Sequence, residues 1–300
     1  MSTSAPTAPA PSNRGARAVE PRARSRAPRR RHALGQGGSY LLMALVVLAC
    51  LVPVALMTRI ALSPAAEWRT MPVNWLSSPF TGSFRAVLSG NFPHALLNSL
   101  VVAVVTTALV VVLSSVAGHA LARMRSRHKE RFLFFVLGTR MGPAVVFALP
   151  LYLLATNLGL VDTYVGIIAV YTVYNLAFAI WMMHGFFLDV PPEVEEAGLM
   201  DGLSEWGVFR RVSLRMTVPG LIATATLVFI LTWNEFFYAF VLTRQVANTF
   251  PTTIPGYFGA FQVNWGEMFA ASTMGVLPPV IFGLLVRKWL ARGLSGGLVE

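Results

Sequence analysis

Six apolar stretches dominate the chain, and each is long enough to cross a membrane as a helix. A helix rises about 1.5 Å per residue, so about 20 apolar residues cover the roughly 30 Å of hydrocarbon in a bilayer. The chain is 55% hydrophobic and only 12% charged, a balance typical of a membrane protein with several spans. The sequence therefore predicts an all-α membrane protein with six transmembrane helices. These lie near residues 40–62, 95–122, 132–157, 163–187, 217–243 and 269–290.

The basic residues are distributed unevenly along the chain. If the N-terminus lies in the cytoplasm, 19 of the 24 Lys and Arg residues fall in the N-terminal tail or in segments on the cytoplasmic side. The loops on the other side hold only Arg69, Arg85 and Arg244. Because short cytoplasmic loops carry an excess of Lys and Arg, we expect both termini in the cytoplasm. A polar segment at residues 189–221 falls on the same side.

Residues 1–38 form a tail of Ala, Pro, Ser and Arg, with eight arginines and a single acidic residue, Glu20. Such a composition cannot bury a core, so we expect a disordered cytoplasmic tail. A transmembrane domain should follow over residues 39–300, with its core at about 94–290. The positive charge of the tail favours contact with anionic membrane lipid. We expect no nucleic-acid partner.

Residues 189–221, here named the polar loop, interrupt the apolar pattern with six of the chain's 13 acidic residues. Pro192 suits the first turn of a helix, and Gly202 can end that helix with a positive φ. Ser204 can cap a second helix that runs to about Arg211. The pattern predicts two short helices, which suit either docking to a soluble partner or an ordinary solvated loop.

Polar residues inside the apolar stretches are costly there and indicate either a function or specific packing. Arg140 lies beside Gly142 and Pro143, which predict a broken helix, and its side chain either faces protein or reaches the cytoplasmic headgroups. The fifth stretch holds an amide and a carboxylate that could bind the hydroxyl groups of a polar substrate, beside aromatic rings that could stack on it. The carboxylate could instead carry protons. The candidate pathway residues are Asn175, Trp233, Asn234, Glu235 and Tyr238.

The chain lacks the sequence motifs of an ATPase or of common hydrolases. It has no G-x-x-x-x-G-K-[ST] phosphate loop, and its only lysines are Lys129 and Lys288. No H-E-x-x-H or G-x-S-x-G motif is found either. The single Cys50 excludes an intrachain disulfide, and its apolar surroundings predict a buried thiol. We therefore expect a non-catalytic protein without a cofactor or metal, driven by a separate subunit or an ion gradient.

The polar loop resembles the EAA loop of binding-protein-dependent ABC importer permeases. In that family EAA is followed by three residues, a glycine, nine residues and I-x-L-P. Here Glu196-Ala197-Gly198 corresponds to EAA and Gly202 to the glycine, with Asp201 before it as in the family. Val212 and Leu214 fall at the apolar positions with the same spacing.

Two residues of the loop depart from the family pattern. Gly198 replaces the second alanine, and Arg215 replaces the proline, which leaves Pro219 to break the helix slightly later. The resemblance nevertheless extends over about residues 40–300. Within that range, the WNEF stretch at 233–236 and the glycines near the C-terminus are similar to maltose-type carbohydrate importer permeases.

This resemblance implies the type I fold of ABC importer permeases and a non-catalytic subunit that forms half of a pore in a bacterial plasma membrane. The implied partners are a second homologous permease, two ATPase subunits and an extracytoplasmic sugar-binding protein. ATP-driven closure of the ATPases would move the polar loop as a rigid body. The residues implied in ATPase coupling are Glu195, Glu196, Ala197, Gly198, Asp201 and Gly202. The alternative is a proton-coupled secondary transporter that uses Glu235.

Overall fold

A computed structural model describes residues 29–68, 75–76, 78–259 and 262–295. This part of the chain is almost entirely helical, and its one β-type pairing is an isolated bridge between Phe258 and Val263, so the all-α prediction is confirmed. The described residues before Val52 belong to one helix, and the residues from Val52 onward form a separate compact unit. The helices are α1 (Arg29–Ala61), α2 (Gly82–Ser89), α3 (Phe92–Arg123), α4 (Lys129–Gly138), α5 (Ala144–Asn157), α6 (Tyr164–Leu188), α7 (Pro192–Met200), α8 (Glu205–Val208), α9 (Leu214–Met216), α10 (Val218–Trp233), α11 (Phe237–Leu242), α12 (Phe250–Thr253) and α13 (Trp265–Ser295).

The described chain contains four to six candidate membrane spans, made of four single helices and two bent helix pairs. Single helices long and apolar enough to cross a membrane are Ser39–Ala61, Phe92–Arg123, Tyr164–Leu188 and Trp265–Arg287. The bent pairs are Lys129–Met141 with Ala144–Asn157, and Glu205–Met216 with Val218–Trp233. With each bent pair counted as one span, the upper limit equals the six spans that the sequence predicts, although Glu205–Met216 of the second pair belongs to the polar loop.

The third span is broken where the sequence predicts a kink. α4 ends at Gly138, a 3-10 turn covers Thr139–Met141, and α5 follows at an angle of 87°. Pro143 has no N–H, and the residue before a proline is pushed out of the helical region. Gly142 accordingly takes extended angles, with φ −66° and ψ 141°. The stretch predicted as one span over 132–157 is therefore built from two helices.

The fifth span ends earlier than the predicted 217–243. α10 stops at Trp233, and α11 resumes at Phe237 after a short break. The Glu235 carboxylate accepts the N–H of Phe237 at 2.9 Å and the N–H of Tyr238 at 3.1 Å, so it caps α11. A residue that caps the next helix lies outside the previous one, which explains the interruption.

α3 and α6 form the largest helix contact in the described chain. Small side chains let the two backbones approach closely: a Cβ added to Gly118 would lie 2.8 Å from the Cβ of Met183. α10 packs against both helices, with Val110, Ala179 and Val228 in one buried cluster. Small residues of the second span therefore serve helix packing.

α1 exposes most of its apolar surface. Cys50 lies on that surface and is exposed, so the prediction of a buried thiol is wrong. An apolar run indicates only removal from water, either into protein or into lipid, and the pattern cannot tell these apart. α1 begins at Arg29, within the predicted tail, whereas residues 1–28 lie outside the described residues and their disorder stays a prediction.

Candidate coupling loop and substrate pathway

The polar loop folds as two short helices around a glycine turn, as the sequence predicts. α7 begins at Pro192 and ends at Met200, and Gly202 follows with a φ of +83°. Glycine takes such a φ without the strain that a Cβ would cause. Ser204 caps α8, because its hydroxyl accepts the N–H of Gly207 at 3.2 Å.

The second helix of the loop is longer and less regular than predicted. α8 covers Glu205–Val208, and a π-helical segment continues over Phe209–Ser213. α9 then ends at Met216, beyond the predicted end at about Arg211. π-helical turns are frequently found at functional sites. The chain next bends by 76° into α10, whose second residue is Pro219, so the predicted break is confirmed.

Gly198, which departs from the EAA pattern, lies where the two helices of the loop meet. It is buried, and a Cβ there would lie 3.3 Å from Cγ2 of Val208 and 3.5 Å from Cγ2 of Val212. Carbon atoms normally meet at about 3.5–4.0 Å, so α8 lies closer to α7 than an alanine would permit without a shift. Close packing of the two helices therefore explains why a glycine occupies this position.

Glu195 on α7 is buried and binds the polar loop to the end of α3. The Arg123 guanidinium donates from Nε to Oε2 at 2.6 Å and from Nη2 to Oε1 at 2.9 Å, which is a bidentate pair. Arg123 also donates to the Val190 carbonyl at 2.9 Å. The Ser213 hydroxyl donates to Oε1 at 2.6 Å, and Nε2 of His119 lies 3.2 Å from the same oxygen. One carboxylate thus joins α3, α7 and the π-helical segment.

The surroundings of Glu195 keep its carboxyl group ionised. Burial raises its pKa, but the hydrogen bonds from Arg123 and Ser213, together with the positive charge of Arg123, outweigh burial. The pKa falls from 4.5 to about 2. An ionised carboxylate only accepts hydrogen bonds, which matches the donors that surround it.

The residues that the sequence implies in ATPase coupling divide into two groups. Glu195 and Gly198 are buried in the internal contacts of the loop. The exposed members are Glu196, Ala197, Asp201 and Gly202. Two large apolar side chains near them are also exposed, Met200 at 88% and Trp206 at 59%. Acidic and apolar side chains are thus exposed together on this part of the loop.

Sequence reasoning missed Arg123, Ser213 and His119 as members of this cluster. In the sequence Arg123 is one of several basic residues at a span end, and no local pattern links it to Glu195, 72 positions later. One signal was available. Glu195 and Gly198 are three residues apart on a helix and so share a face, which separates them from Glu196.

Two of the pathway candidates, Asn175 and Trp233, are buried between helices. Nδ2 of Asn175 donates to the Tyr171 carbonyl at 2.9 Å and to the Thr232 hydroxyl at 3.3 Å. Nε1 of Trp233 donates to the Gly275 carbonyl on α13 at 3.1 Å. These bonds hold helices together, although Oδ1 of Asn175 has no hydrogen-bond partner within the described chain.

Asn234 and Glu235 lie in the break between α10 and α11. Asn234 is exposed, and its Nδ2 donates to the Ile230 carbonyl at 2.8 Å. Glu235 is engaged as the cap of α11. Among the residues that the structure describes, no group of three His, Cys, Asp or Glu side chains could hold a metal ion.

Tyr238 lines a cavity of about 370 Å³ between the broken third span and α6, here named the inner cavity. Arg140 and Tyr174 line it too, and the other walls are mostly apolar. The Arg140 guanidinium carbon lies 4.8 Å from the centre of the Tyr174 ring, within cation–π range. The rings of Tyr174 and Tyr238 meet edge-on with centroids 5.3 Å apart. The inner cavity thus brings one arginine and two tyrosines together.

Comparison with known proteins extends these observations. Residues 111–296 match the family described as "Binding-protein-dependent transport system inner membrane component". The "Probable ABC transporter permease protein y4oR" of Sinorhizobium fredii is 35% identical, over 77% of this chain and 83% of its own length. The "Trehalose transport system permease protein SugB" of Mycobacterium tuberculosis is 31% identical, over 87% of this chain and 96% of its own length.

A solved structure has the same fold. It is the crystal structure of a bacterial ABC transporter involved in the import of the acidic polysaccharide alginate. One of its chains matches with a TM-score of 0.66 and 22% identity, over 87% of this chain and 98% of that chain. Together with the extended sequence match, the helical bundle and its polar loop identify the class of protein. The chain belongs to the binding-protein-dependent transport system inner membrane components, which are non-catalytic permease subunits of ABC transporters in the inner membrane.

Proposed function

We propose that the protein is one of two permease subunits in an ATP-driven sugar importer and that its polar loop binds an ATPase subunit. One observation carries the coupling role: Glu195 fastens the loop to α3 from inside, while Met200 and Trp206 are exposed on its outer side. A loop that is fixed to the bundle on one face and binds a partner with the other can transmit motion between them.

The different surroundings of the two neighbouring glutamates, Glu195 and Glu196, support this role. Glu195 is engaged by Arg123 and Ser213, whereas Glu196 is exposed. We assign Glu195 to anchoring the loop and Glu196, with Asp201, to an acidic surface that meets basic groups of the ATPase. Closure of the ATPases would then move α7, α8 and the end of α3 together and switch the pore between its inward-facing and outward-facing states.

A sugar is the substrate class that the relatives favour. The protein of Mycobacterium tuberculosis that is 31% identical over most of both chains is named for trehalose transport. The sequence resemblance to maltose-type permeases points the same way. In this proposal a second, homologous permease completes the pore, two ATPase subunits lie in the cytoplasm with both termini of this chain, and a sugar-binding protein delivers the substrate from outside.

We propose Tyr238 as the pathway residue best placed to contact sugar. It lines the inner cavity with Tyr174 and Arg140, which offer a ring face and hydrogen-bond donors. Asn234 and Glu235 lie in the adjoining break, and Asn175 retains an unpartnered oxygen in the described chain. These residues, with the buried Trp233 behind them, form the candidate pathway.

A proton-coupled transporter using Glu235 is the weaker candidate. The Glu235 carboxylate caps α11 through two backbone N–H groups. Carrying a proton through the transport cycle would break this cap each time, at a cost of about 0.5–2 kcal/mol. The family match also favours energy from a separate ATPase, since this chain contains no phosphate loop.

Purification of the tagged protein in mild detergent tests the proposal. We expect a second permease and an ATPase to co-elute with the wild-type chain and to give ATPase activity. Glu196→Lys reverses a charge on the exposed face and should lose the ATPase but keep the second permease. Glu130→Lys, an equally exposed glutamate at the start of α4, is the matched control and should keep both. Elution of the wild-type chain alone, or full ATPase retention by Glu196→Lys, would contradict the proposal.

A further inference from the structure

A polar cavity of about 520 Å³ lies at the end of the bundle farthest from the polar loop. α3 runs from Phe92, which lines this cavity, to Arg123, which holds the polar loop, so the two sites lie at opposite ends of one helix. The cavity walls come from α2, from the chain between α11 and α12, and from the start of α13. We name this cavity the polar vestibule. Its polar side chains are Asn91, Thr243, Arg244, Asn248, Thr252, Thr253, Tyr257 and Glu267.

One wall of the polar vestibule is irregular backbone that the Asp162 carboxylate holds in place. Its two oxygens accept the N–H groups of residues 244–247 at 2.8–3.1 Å. The N–H of Asp162 donates in return to the Leu242 carbonyl at 2.8 Å. Burial raises the pKa of Asp162, but the four N–H groups outweigh it and lower the pKa to about 2. The carboxylate is therefore charged at neutral pH.

Asn98 on α3 holds the same stretch of backbone. Its Nδ2 donates to the carbonyls of Val246 and Asn248, each at 2.9 Å. Its Oδ1 accepts the Tyr164 hydroxyl at 2.6 Å. Asp162 and Asn98 thus satisfy the backbone of this segment, while Arg244 and Asn248 contribute to the vestibule lining. A wall fixed in this way needs no ordering when a ligand binds, which lowers the entropic cost of binding.

Tyr257 and Glu267 supply a hydroxyl and a carboxylate elsewhere in the wall. Burial, and then the negative charge of Glu267, raise the pKa of Tyr257. The hydroxyl therefore keeps its proton at neutral pH and can donate a hydrogen bond. The Glu267 carboxylate can accept hydrogen bonds from a ligand in the cavity that it lines.

We propose that the polar vestibule is a second sugar-binding site, which holds a neutral sugar at the end of the permease opposite the ATPase. Its volume lies in the range of about 300–1,000 Å³ found for ligand pockets. Arg244 and Glu267 balance in charge, which favours a neutral ligand over an acidic one. Separate donors and acceptors match the hydroxyl groups of a sugar ring, and Phe240 in the lining offers a face for stacking.

This proposal rests on the sugar-importer function and extends it. The sugar would enter the vestibule after leaving the binding protein and before reaching the inner cavity. The fixed wall makes the vestibule a preformed site. Arg244 also donates to the carbonyls of Phe240 and Thr243 at 3.3 and 3.1 Å, which holds its guanidinium beside the lining. The chemistry is that of hydroxyl recognition by charged and amide groups, not of apolar substrate binding.

Direct sugar binding to the complete transporter in nanodiscs, without the binding protein, tests the proposal. Saturation-transfer NMR with trehalose and maltose as probes would give dissociation constants. Glu267→Gln and Tyr257→Phe should each weaken binding about tenfold, equivalent to about 1.4 kcal/mol. Tyr257→Phe removes a single oxygen and leaves the packing intact. Glu130→Gln and Tyr40→Phe are matched controls at exposed positions outside the vestibule and should bind like the wild type.

Three results would overturn the proposal while leaving the importer intact. In the first, the wild-type transporter takes up sugar with its binding protein and yet gives no signal with either probe. Alternatively, the vestibule variants could bind both sugars as tightly as the controls. Third, the variants could lose only their association with the binding protein, which would make this surface a protein-docking site. Failure of the proposed function itself looks different, because the wild-type complex would then show neither uptake nor ATPase activity.

Discussion

The hydrogen bonds of Glu195 predict a specific weakening of the polar loop when its charge is removed. Glu195→Gln preserves the size of the side chain but replaces an acceptor oxygen by an NH₂ group facing the Arg123 guanidinium. Arg123 then loses its bidentate partner, while its own side chain is only 25% exposed. The Ser213 hydroxyl, which donates to Glu195 at 2.6 Å, would bond to a neutral amide at best.

The contacts set the size of the effect. A hydrogen bond to a charged group contributes about 1.5–3 kcal/mol, and two such bonds join Arg123 to Glu195. Part of the loss is recovered, because Arg123 is partly exposed to solvent and the glutamine still accepts one bond. We expect a net loss of about 2 kcal/mol, roughly a thirtyfold shift towards the detached loop.

Hydrogen exchange on the complete transporter measures this shift. Peptides covering residues 192–216 should exchange about thirtyfold faster in Glu195→Gln than in the wild type, because exchange there requires the loop to detach. Peptides from α13 should be unchanged. Glu130→Gln is the control, since Glu130 is exposed and lies outside the polar loop, and it should exchange like the wild type. Equal exchange in the wild type and Glu195→Gln would refute the anchoring role of Glu195.

Three further predictions concern pH, the glycine turn and the hydrogen bonds that the Asp162 carboxylate accepts. The pKa of Glu195 is about 2 in the folded protein against an ordinary 4.5, so its stabilisation is complete above pH 4.5 and disappears as the pH falls towards 2. The difference in melting temperature between wild type and Glu195→Gln should shrink over that window, and a constant difference would contradict the charge argument. Gly202→Val should slow sugar uptake with normal membrane insertion, because a φ of +83° costs a residue with a Cβ about 1–2 kcal/mol. Gly185→Val, at a glycine with equally open space but no positive φ, should transport normally, and equal impairment of both would argue against the turn. Asp162→Gly should lower the transporter's melting temperature through a loss of about 2–3 kcal/mol. Asp162→Asn keeps one acceptor and should lower it less. Identical melting temperatures of the wild type and both variants would show that the hydrogen bonds of Asp162 do not stabilise the protein.

Hydropathy and local turn chemistry predict most of the fold, because both act between neighbours in sequence. Apolar length gives the six spans, Pro143 predicts the break in the third, and Gly202 with Ser204 predicts the turn of the polar loop. The break after Trp233 escapes this reasoning, because it depends on Glu235 folding forward to cap α11. A lone carboxylate in an apolar stretch is equally typical of a ligand, a proton carrier or a cap.

Pairs of residues far apart in sequence could not be predicted. Arg123 and Glu195 are 72 positions apart, and Asp162 binds backbone groups up to 85 positions away. Membrane topology alone accounts for a basic residue at the cytoplasmic end of a span. Its position therefore gives no hint of a specific partner. The same holds for Asp162, which precedes Thr163, the cap of α6, and which no local pattern links to residues 244–247.

Gly198 shows how a departure from a family pattern can follow from packing. Glycine weakens α7 by up to about 1 kcal/mol relative to alanine. In exchange, α8 can approach until Cγ2 of Val208 would lie 3.3 Å from an added Cβ. Glu195, one turn earlier on the same face of α7, then receives the Ser213 hydroxyl at 2.6 Å from the segment that follows α8. The close approach of the two helices and the buried carboxylate are thus parts of one arrangement. Because Gly198 is small, α8 and the segment after it can pack against α7 closely enough for Ser213 to bind Glu195.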